Sequence, residues 1–468
     1  MVLPATGKSQ SNEQKKKAGW NDYVKEKREV AMYWHTKWKH EGSPVNSFTA
    51  VMRRKTRLQY HYAIKCIEKN KNIIKSNNMA RKFIEKPNKA WKECSKLRGR
   101  KNKIPNIVDN ITGEKNISEL FGNQFNGLLN SVGSDVTKIE NLKAVLNDSL
   151  ENSNSEYSIQ NNELIDSLKS LATGKSDGYL GIYSDHLIHG TEMLCSFLTD
   201  LFNSMLNHGF TPSKMNVGTI IPLIKDKSKG MSDSSNFRGI CLQSALCKLL
   251  DKVILKKEEE KLRTSNLQFG FKSCISSHMA VSVVQETVDY YTNQGNTVYG
   301  LALDASKAFD RVEFYKLFQC LITRDVNLIV VRFLLNMYLS QNIRVRFNQT
   351  HSELFQVSNG VKQGGVLSPI LFSIYIDILI ESLQTSGYGC RVGDVYVGCV
   401  AYADDILILT ASLFSLNKMI KICENYAVDY HVKFNGNKSK LIISQKNGAF
   451  HNPIQICKFR ESRNCEQY

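Results

Sequence analysis

The sequence predicts an α+β protein in which a basic helical segment precedes a mixed domain, and three observations carry that prediction. Apolar runs bounded by turn residues read as short strands at 219–226, at 298–304 and on both sides of Ala403-Asp404-Asp405. Between them, apolar residues spaced three and four apart read as helices at 164–171, 194–206, 245–262 and 279–291. Residues 15–103 are helical in pattern and strongly basic.

Composition narrows the function. The 468 residues are enough for two or three domains and a sizeable core. Hydrophobic residues make up 42% and charged residues 23%, a globular rather than a disordered balance. Lys and Arg outnumber Asp and Glu by 62 to 44, a net charge of +18. The pI near 9.2 favours a polyanionic partner, nucleic acid ahead of an anionic membrane because no amphipathic basic helix stands out. Twelve cysteines are scattered with no C-x-x-C pair and no Cys/His cluster, which argues for free thiols over a disulfide scaffold or a zinc site. No signal peptide and no apolar stretch of bilayer length is evident, so a soluble intracellular protein is expected.

In the basic segment, Trp20, Tyr23, Tyr33, Trp34 and Trp38 interleave with Lys25, Lys27, Arg28, Lys37 and Lys39, and a second basic stretch follows at 53–60. Basic residues beside aromatics can hold phosphates and stack on bases. A helical hairpin with aromatics inside and lysines outside would show the same pattern. The helical part is expected to end near Pro105. Residues 106–160, rich in Asn, Ser and Gly with one amphipathic segment near 118–129, read as a polar connector. Gly174-Lys175-Ser176 is not a phosphate loop, because Lys169 stands where the earlier glycine is required and no strand precedes it. The strand at 219–226 runs into a polar loop, then Phe237-Arg238-Gly239-Ile240-Cys241-Leu242, and a turn at 268–272 precedes the last of the four helices.

Three stretches carry chemistry. The strand at 298–304 ends in Asp304, with a helix start expected at 307–312. An Asp at the C-terminal end of an apolar strand is a common place for a metal ligand, and an N-cap looks similar. Residues 359–372 form a glycine-rich turn opening a helix, with Ser368 suited to the N-cap and Pro369 to the first helical position. Such a turn lets backbone approach a flat ligand closely, and a tight loop before a core helix reads the same way. Asp404 and Asp405 sit at the tip of an apolar hairpin. Adjacent like charges repel, and burying them unpaired is expensive. A divalent cation resolves that conflict, and carboxylate oxygens suit Mg²⁺ or Mn²⁺. A solvated turn that contains Asp-Asp is the plain alternative.

In this order, the strand-end carboxylate, the glycine-rich turn and the paired carboxylates resemble the palm of reverse transcriptases. Residues 220–226 with Asn236-Phe237-Arg238-Gly239-Ile240 are similar to the finger motifs, and 268–272, 303–312, 360–372 and 402–405 follow in the family's order. Residues 433–441 resemble the next palm element, and Gly174-Lys175-Ser176-Asp177-Gly178 resembles an upstream motif of the non-LTR (LINE-type) branch. Ala308-Phe309-Asp310 and Leu367-Ser368-Pro369 also favour that branch over retroviral enzymes. The resemblance covers roughly 160–445 and rests on motif order.

The resemblance implies a right-hand polymerase fold, fingers and palm with an antiparallel palm sheet over 206–468, preceded by the basic linker region 1–105 and the connector 106–160. It implies RNA-directed DNA synthesis, in which a primer 3′-hydroxyl attacks a deoxynucleotide α-phosphate with two divalent ions about 4 Å apart. Asp304, Asp404 and Asp405 would hold Mg²⁺ or Mn²⁺. Lys225 and Arg238 would grip the triphosphate, arginine being suited to bidentate phosphate contacts. Gln363 and Gly364 would contact the incoming nucleotide and template. Lys438 would protonate pyrophosphate, with Lys440 a nearby rival. Phe309 stands five positions after Asp304, where RNA-dependent RNA polymerases commonly carry an Asp that accepts the ribose 2′-hydroxyl. A ring there would clash with that hydroxyl and select deoxynucleotides, although a core phenylalanine fits too. Ala-Asp-Asp rather than Gly-Asp-Asp also argues for DNA synthesis.

The implied partners are an RNA template, a DNA primer (in this branch a nicked chromosomal strand) and deoxynucleoside triphosphates, with no membrane. The implied place of work is the nucleus or a cytoplasmic ribonucleoprotein. Gly239 stands where the family has Pro, which is expected to loosen that loop without removing a ligand. Nothing before Lys15 could hold an endonuclease, which is expected to be lost or supplied elsewhere, and a polar tail follows Ser444 where a thumb is expected. These ends suggest a truncated element with fingers and palm kept. The other readings are an intron-encoded reverse transcriptase, an RNA replicase, or an inactive fragment acting at most as an RNA-binding protein. An Asp at 309 would have favoured the replicase, and the intact aspartates argue against a decayed site.

Overall fold

A computed structural model describes residues 22–85 and 105–446, apart from 134, 153–155, 176–178, 227 and 229, together with 454–455. The chain divides into two compact units, Met1–Ile104 and Pro105–Tyr468.

The first unit contains α1 (Asp22–His40), α2 (Phe48–Lys69) and α3 (Lys71–Glu85). The Ser47 hydroxyl accepts from the Ala50 N–H and so starts α2. Between α1 and α2, the Arg53 guanidinium lies 3.8 Å from the centre of the Trp38 ring, and its Nε donates to His35 Nδ1 at 3.1 Å. Trp38 Nε1 donates to Pro44 O at 3.0 Å. Trp34 and Trp38 are thus half-buried in a helical hairpin, while Tyr33 is exposed. Trp20 and residues 86–103 lie outside the described residues.

The second unit holds two sheets. Besides a five-residue helix at Ser184–Ile188, its described helices are α4 (Glu114–Leu129), α5 (Val136–Glu151), α6 (Asn161–Lys169), α7 (Glu192–His208), α8 (Ala245–Lys257), α9 (Ser277–Asn293), α10 (Phe314–Thr323), α11 (Leu328–Leu339), α12 (Ser368–Thr385) and α13 (Leu413–Asp429). The fingers sheet orders β2 (Phe237–Leu242), β1 (Val217–Ile224) and β4 (Asn342–Phe347), followed by a short strand at Thr350–His351. Its β1–β2 pair is antiparallel and its β1–β4 pair parallel. The palm sheet orders β5 (Cys399–Tyr402), β6 (Asp405–Thr410), β3 (Val298–Asp304) and β7 (Lys440–Ser444), ending on Ile454–Gln455. Every pair in the palm sheet is antiparallel, as the fold class requires.

Side chains alternate across the palm strands and divide them between two layers. Leu301, Leu303, Ile406 and Ile408 enter the main core with α12, whose Leu371, Phe372, Tyr375, Ile376, Leu379 and Ile380 are all buried. On the other face Val298 and Leu409 meet Val283, Val284 and Val288 of α9. Asp304 and Asp405 alternate onto this second face, at the opposite end of the paired strands from Val298 and Leu409.

A separate apolar cluster holds the fingers together, and it corrects the expected connector. Ile117, Phe121, Phe125 and Leu129, four residues apart along α4, pack onto Ile220, Phe237, Cys241, Ile343, Val345 and Phe347 of the fingers sheet. In α5, capped by Asp135 accepting from the Lys138 N–H, Ile139, Leu142 and Leu146 are buried. Among the described residues, the Asn of 106–160 are exposed on the outer faces of these helices or in the turns beside them, so composition hid the buried stripe. The fingers core thus begins well before residue 206.

Smaller differences have local causes. The helix expected over 245–262 stops at Lys257. The helix start expected at 307–312 is a short 3₁₀ turn, Ala308–Arg311, entered through Lys307 at φ 51°. Leu367 rather than Ser368 is the N-cap of α12, so Ser368 takes the first helical position and Pro369, expected there, the second. Gly239 does not loosen a loop. It sits inside β2 opposite Pro222, close against the Phe125 ring. Among the described residues no helix is long and apolar enough to cross a membrane, and the nine described cysteines are free thiols.

Phe121 is the centre of the fingers cluster, its ring 5.0 Å from that of Phe237 and 5.9 Å from that of Phe347. Phe121→Ala is expected to lower the stability of this unit by about 3–5 kcal/mol, read as a lower urea midpoint at unchanged slope.

Candidate active site at the palm hairpin

The site starts from strand register. Asp405, the first residue of β6, is paired with Asp304, the last of β3. Directly opposed residues of an antiparallel pair share a face, with Cβ atoms about 4.5–5.5 Å apart. Asp404 precedes on the turn, after Ala403, which adopts φ 60°. Burial and then the charges of Asp404 and Asp304 push the Asp405 carboxyl above its usual range. Among the described residues no three His, Cys, Asp or Glu side chains are already drawn together as a ligand cluster. The donor chemistry still fits a hard divalent cation: two carboxylates face each other across the sheet end, a third adjoins them, and a cation would relieve their repulsion.

The segment after α13 folds over this sheet end. Asn435 N–H donates to Asp304 O at 2.8 Å, Ser306 N–H to Lys433 O at 2.8 Å, and Asp304 N–H to Ser439 Oγ at 3.3 Å. These bonds carry Lys438 Nζ to 3.6 Å from Asp304 Oδ2. Lys440 instead lies on β7 opposite Ala302.

The fingers supply cations. Lys225 follows β1, and its Nζ donates to Ser235 O at 3.1 Å. Burial, and after it the charges of Lys307 and Arg238, hold its amine below the ordinary lysine value. Arg238 is exposed on β2, opposite Leu223. Asp310 lies within electrostatic reach of Lys307, Lys225 and Arg238; burial raises its carboxyl to about 6, opposed by the Gln363 hydrogen bond and these three cations. Gln363 Nε2 donates to both Asp310 oxygens, at 2.7 and 2.9 Å.

The glycine-rich turn joins the two sheets. Cys241 N–H donates to Gln363 O at 2.7 Å. Gly364 has φ 110°, and a Cβ there would stand 2.9 Å from Cys241 O, so only glycine fits. Phe309 is half-buried, stacked on Phe372 at 4.3 Å and 20° and set edge-on to Phe271 at 6.0 Å. Val361 N–H donates to Phe309 O at 2.8 Å.

The fold therefore gathers Asp304, Asp404, Asp405 and Lys438 at one sheet end, with Lys225, Arg238, Phe309, Gln363 and Gly364 on the segments around it. Sequence reasoning missed Lys307 and Asp310 as members of this neighbourhood. The signal was the segment Lys307-Ala308-Phe309-Asp310 itself, read as a helix start, a mark of the branch and a sugar gate, but not for the charges of Lys307 and Asp310. Of the upstream Gly-Lys-Ser-Asp-Gly stretch, residues 176–178 lie outside the described residues.

Residues 224–453 match the family model of the reverse transcriptase (RNA-dependent DNA polymerase) domain. The chain is 29% identical over 194 residues to the retrovirus-related Pol polyprotein from type-1 retrotransposable element R2 of Popillia japonica, over 41% of this chain and 27% of that protein. It is 27% identical over 279 residues to the RNA-directed DNA polymerase from mobile element jockey of Drosophila funebris, over 56% of this chain and 28% of that protein. It thus spans little more than a quarter of the length of either relative. Among solved structures, apo telomerase from Candida tropicalis aligns with a TM-score of 0.39 and 14% identity, over 55% of this chain and 50% of that one. The chain carries a reverse transcriptase domain of the kind found in non-LTR retrotransposons.

Proposed function

We propose that this chain is an RNA-directed DNA polymerase that extends a DNA primer on an RNA template from deoxynucleoside triphosphates, using Mg²⁺ or Mn²⁺ held by Asp304, Asp404 and Asp405. One observation carries the reading: the register that sets Asp405 opposite Asp304, beside Asp404, inside the matched domain. When bound, divalent ions make the primer 3′-hydroxyl a better nucleophile and neutralise charge on the phosphates.

The residues of the chain do the remaining work. Asp304 and Asp405 present their carboxylates from paired strands, a rigid platform for such a site. Lys225 and Arg238 from the fingers, with Lys307 from the palm, grip the triphosphate, and the Asp310 carboxylate balances their charge while it orients Gln363 toward the base pair being formed. Lys438 gives a proton to the departing pyrophosphate as the bond to the α-phosphorus breaks. The Phe309 ring, held by Phe372 and Phe271, cannot swing aside for a 2′-hydroxyl and so excludes ribonucleotides. Fingers and palm belong to 206–468 together with α4, and the basic α1–α3 unit adds cationic surface for nucleic acid. In this reading the primer is a nicked chromosomal strand, the endonuclease is supplied elsewhere, and the work is nuclear.

Primer extension on an RNA template with deoxynucleotides and Mg²⁺ tests the reading directly. The chain is expected to extend, and Asp404→Asn to lower the rate by roughly 10³-fold; equal rates, or none from the unaltered chain, would overturn it. Lys225→Ala and Arg238→Ala are each expected to raise the deoxynucleotide KM roughly 10-fold, the effect of one lost charge-assisted hydrogen bond. An unchanged KM would remove them from the triphosphate. Phe309→Ala is expected to admit ribonucleotides about 10–100-fold more readily in single-turnover incorporation. Exclusion as strict as before would leave Phe309 a core residue only.

A further inference from the structure

We propose that Gln268 is a positioning residue for Asp404: its buried carboxamide clamps the hairpin turn at Ala403 and thereby decides where the following carboxylate stands. This rests on the reading that Asp404 holds a cation, but the clamp can be observed without one.

The turn at 268–272 lies along the free edge of β5. Ala401 N–H donates to Leu267 O at 2.9 Å and Phe269 N–H donates to Ala401 O at 2.8 Å, a short parallel bridge. Two residues further, at Ala403, the hairpin reverses and the backbone ladder ends. The Gln268 side chain, fully buried, takes over. Its Oε1 accepts from Ala403 N–H at 2.8 Å and from Gly270 N–H at 2.9 Å, and its Nε2 donates to Ala403 O at 3.2 Å. A primary amide carries the donor and the acceptor needed to stand in for a strand peptide; a carboxylate lacks the donor and a hydrocarbon both.

The clamp has something to hold. Ala403 sits at φ 60°, a left-handed conformation that L-residues other than Gly, Asn and Asp rarely enter. The fit is close, since a Cβ at Gly270 would stand 2.3 Å from Ala403 N. The clamp is also anchored. Lys272 Nζ donates to Ser265 O at 2.6 Å, and Ser265 N–H donates to Asp377 Oδ2 at 2.8 Å. Asp377 is buried on α12 and paired with Arg324 at 2.9 Å. A rigid path therefore runs from α12 through Asp377 and the turn to Gln268, Ala403 and Asp404. The sheet register places Asp304 and Asp405, but Asp404 lies outside the ladder and is placed by the turn alone.

Gln268→Met keeps the bulk and removes all three bonds. Residue-resolved hydrogen exchange is expected to show the Ala403 amide of the wild-type chain protected like that of Ala401. Exchange at the solvent rate there would overturn the clamp without any variant. In Gln268→Met the 403 amide is expected to exchange at least 10-fold faster while β3 and β7 keep their rates. Mn²⁺ affinity, read by electron paramagnetic resonance of the free ion, is expected to fall about 10-fold, as when a ligand-orienting partner is lost. Ala403→Gly in the Gln268→Met background is expected to recover part of that affinity, because glycine adopts φ 60° without strain; mere loss of packing would not be rescued this way. Unchanged Mn²⁺ affinity with faster exchange would overturn the positioning role. Mn²⁺ binding that Asp404→Asn leaves unaltered would instead overturn the assignment of the cation to Asp404, and the role of Gln268 with it.

Discussion

The structure depends on the register of β6 between β3 and β5. Side chains alternate along a strand, so a slip of one residue would move Asp405 to the α12 face and expose Ile406 and Ile408. The apolar residues prevent this: Leu301, Leu303, Ile406 and Ile408 are buried on one face and Leu409 with Val298 on the other. Two acidic side chains that repel each other are thereby held at the same sheet end, and the energy that holds them comes from the hydrophobic layers beneath.

At the glycine-rich turn, polar groups join the fingers sheet to the palm. Gln363 accepts from the Cys241 amide of the fingers with its carbonyl and donates to Asp310 of the palm with its side chain. Gly364 allows the backbones to come this close. The cations of the fingers, Lys225 and Arg238, thus stand near Lys307 and Asp310 of the palm. The charges of Lys225, Arg238 and Lys307 all bear on the buried Asp310 carboxyl and oppose the upward effect of its burial.

The aromatic residues at the site are braced in the same way. Phe309 is stacked on α12 and set edge-on to the turn at 268–272, and that turn also bonds the hairpin. One short segment, tied to α12 through Asp377, therefore touches both the ring proposed to choose the sugar and the turn that carries Asp404. Within it Gln268 and Gly270 are buried, and the Phe269 and Gly270 amides are hydrogen-bonded, to Ala401 O and Gln268 Oε1.

What the sequence determined by itself was local. Apolar runs ending in Asp304 and flanking Asp404-Asp405, the turn chemistry of 360–369 and the order of these motifs were enough to identify the strands, the hairpin and the family. These features depend on neighbours within a few residues, where strand alternation and turn propensity act. What only the tertiary structure decided was long-range. Residues 106–160 look polar because α4 carries just one buried stripe, whose partners lie about a hundred or more residues further along the chain. Asp310 meets Gln363, 53 residues on, and Gln268 meets Ala403, 135 residues on. A buried amide or carboxylate has no periodicity to betray it. Its role is set by which orphan N–H or charge the fold brings beside it, and that is decided only when the sheets and α12 have packed.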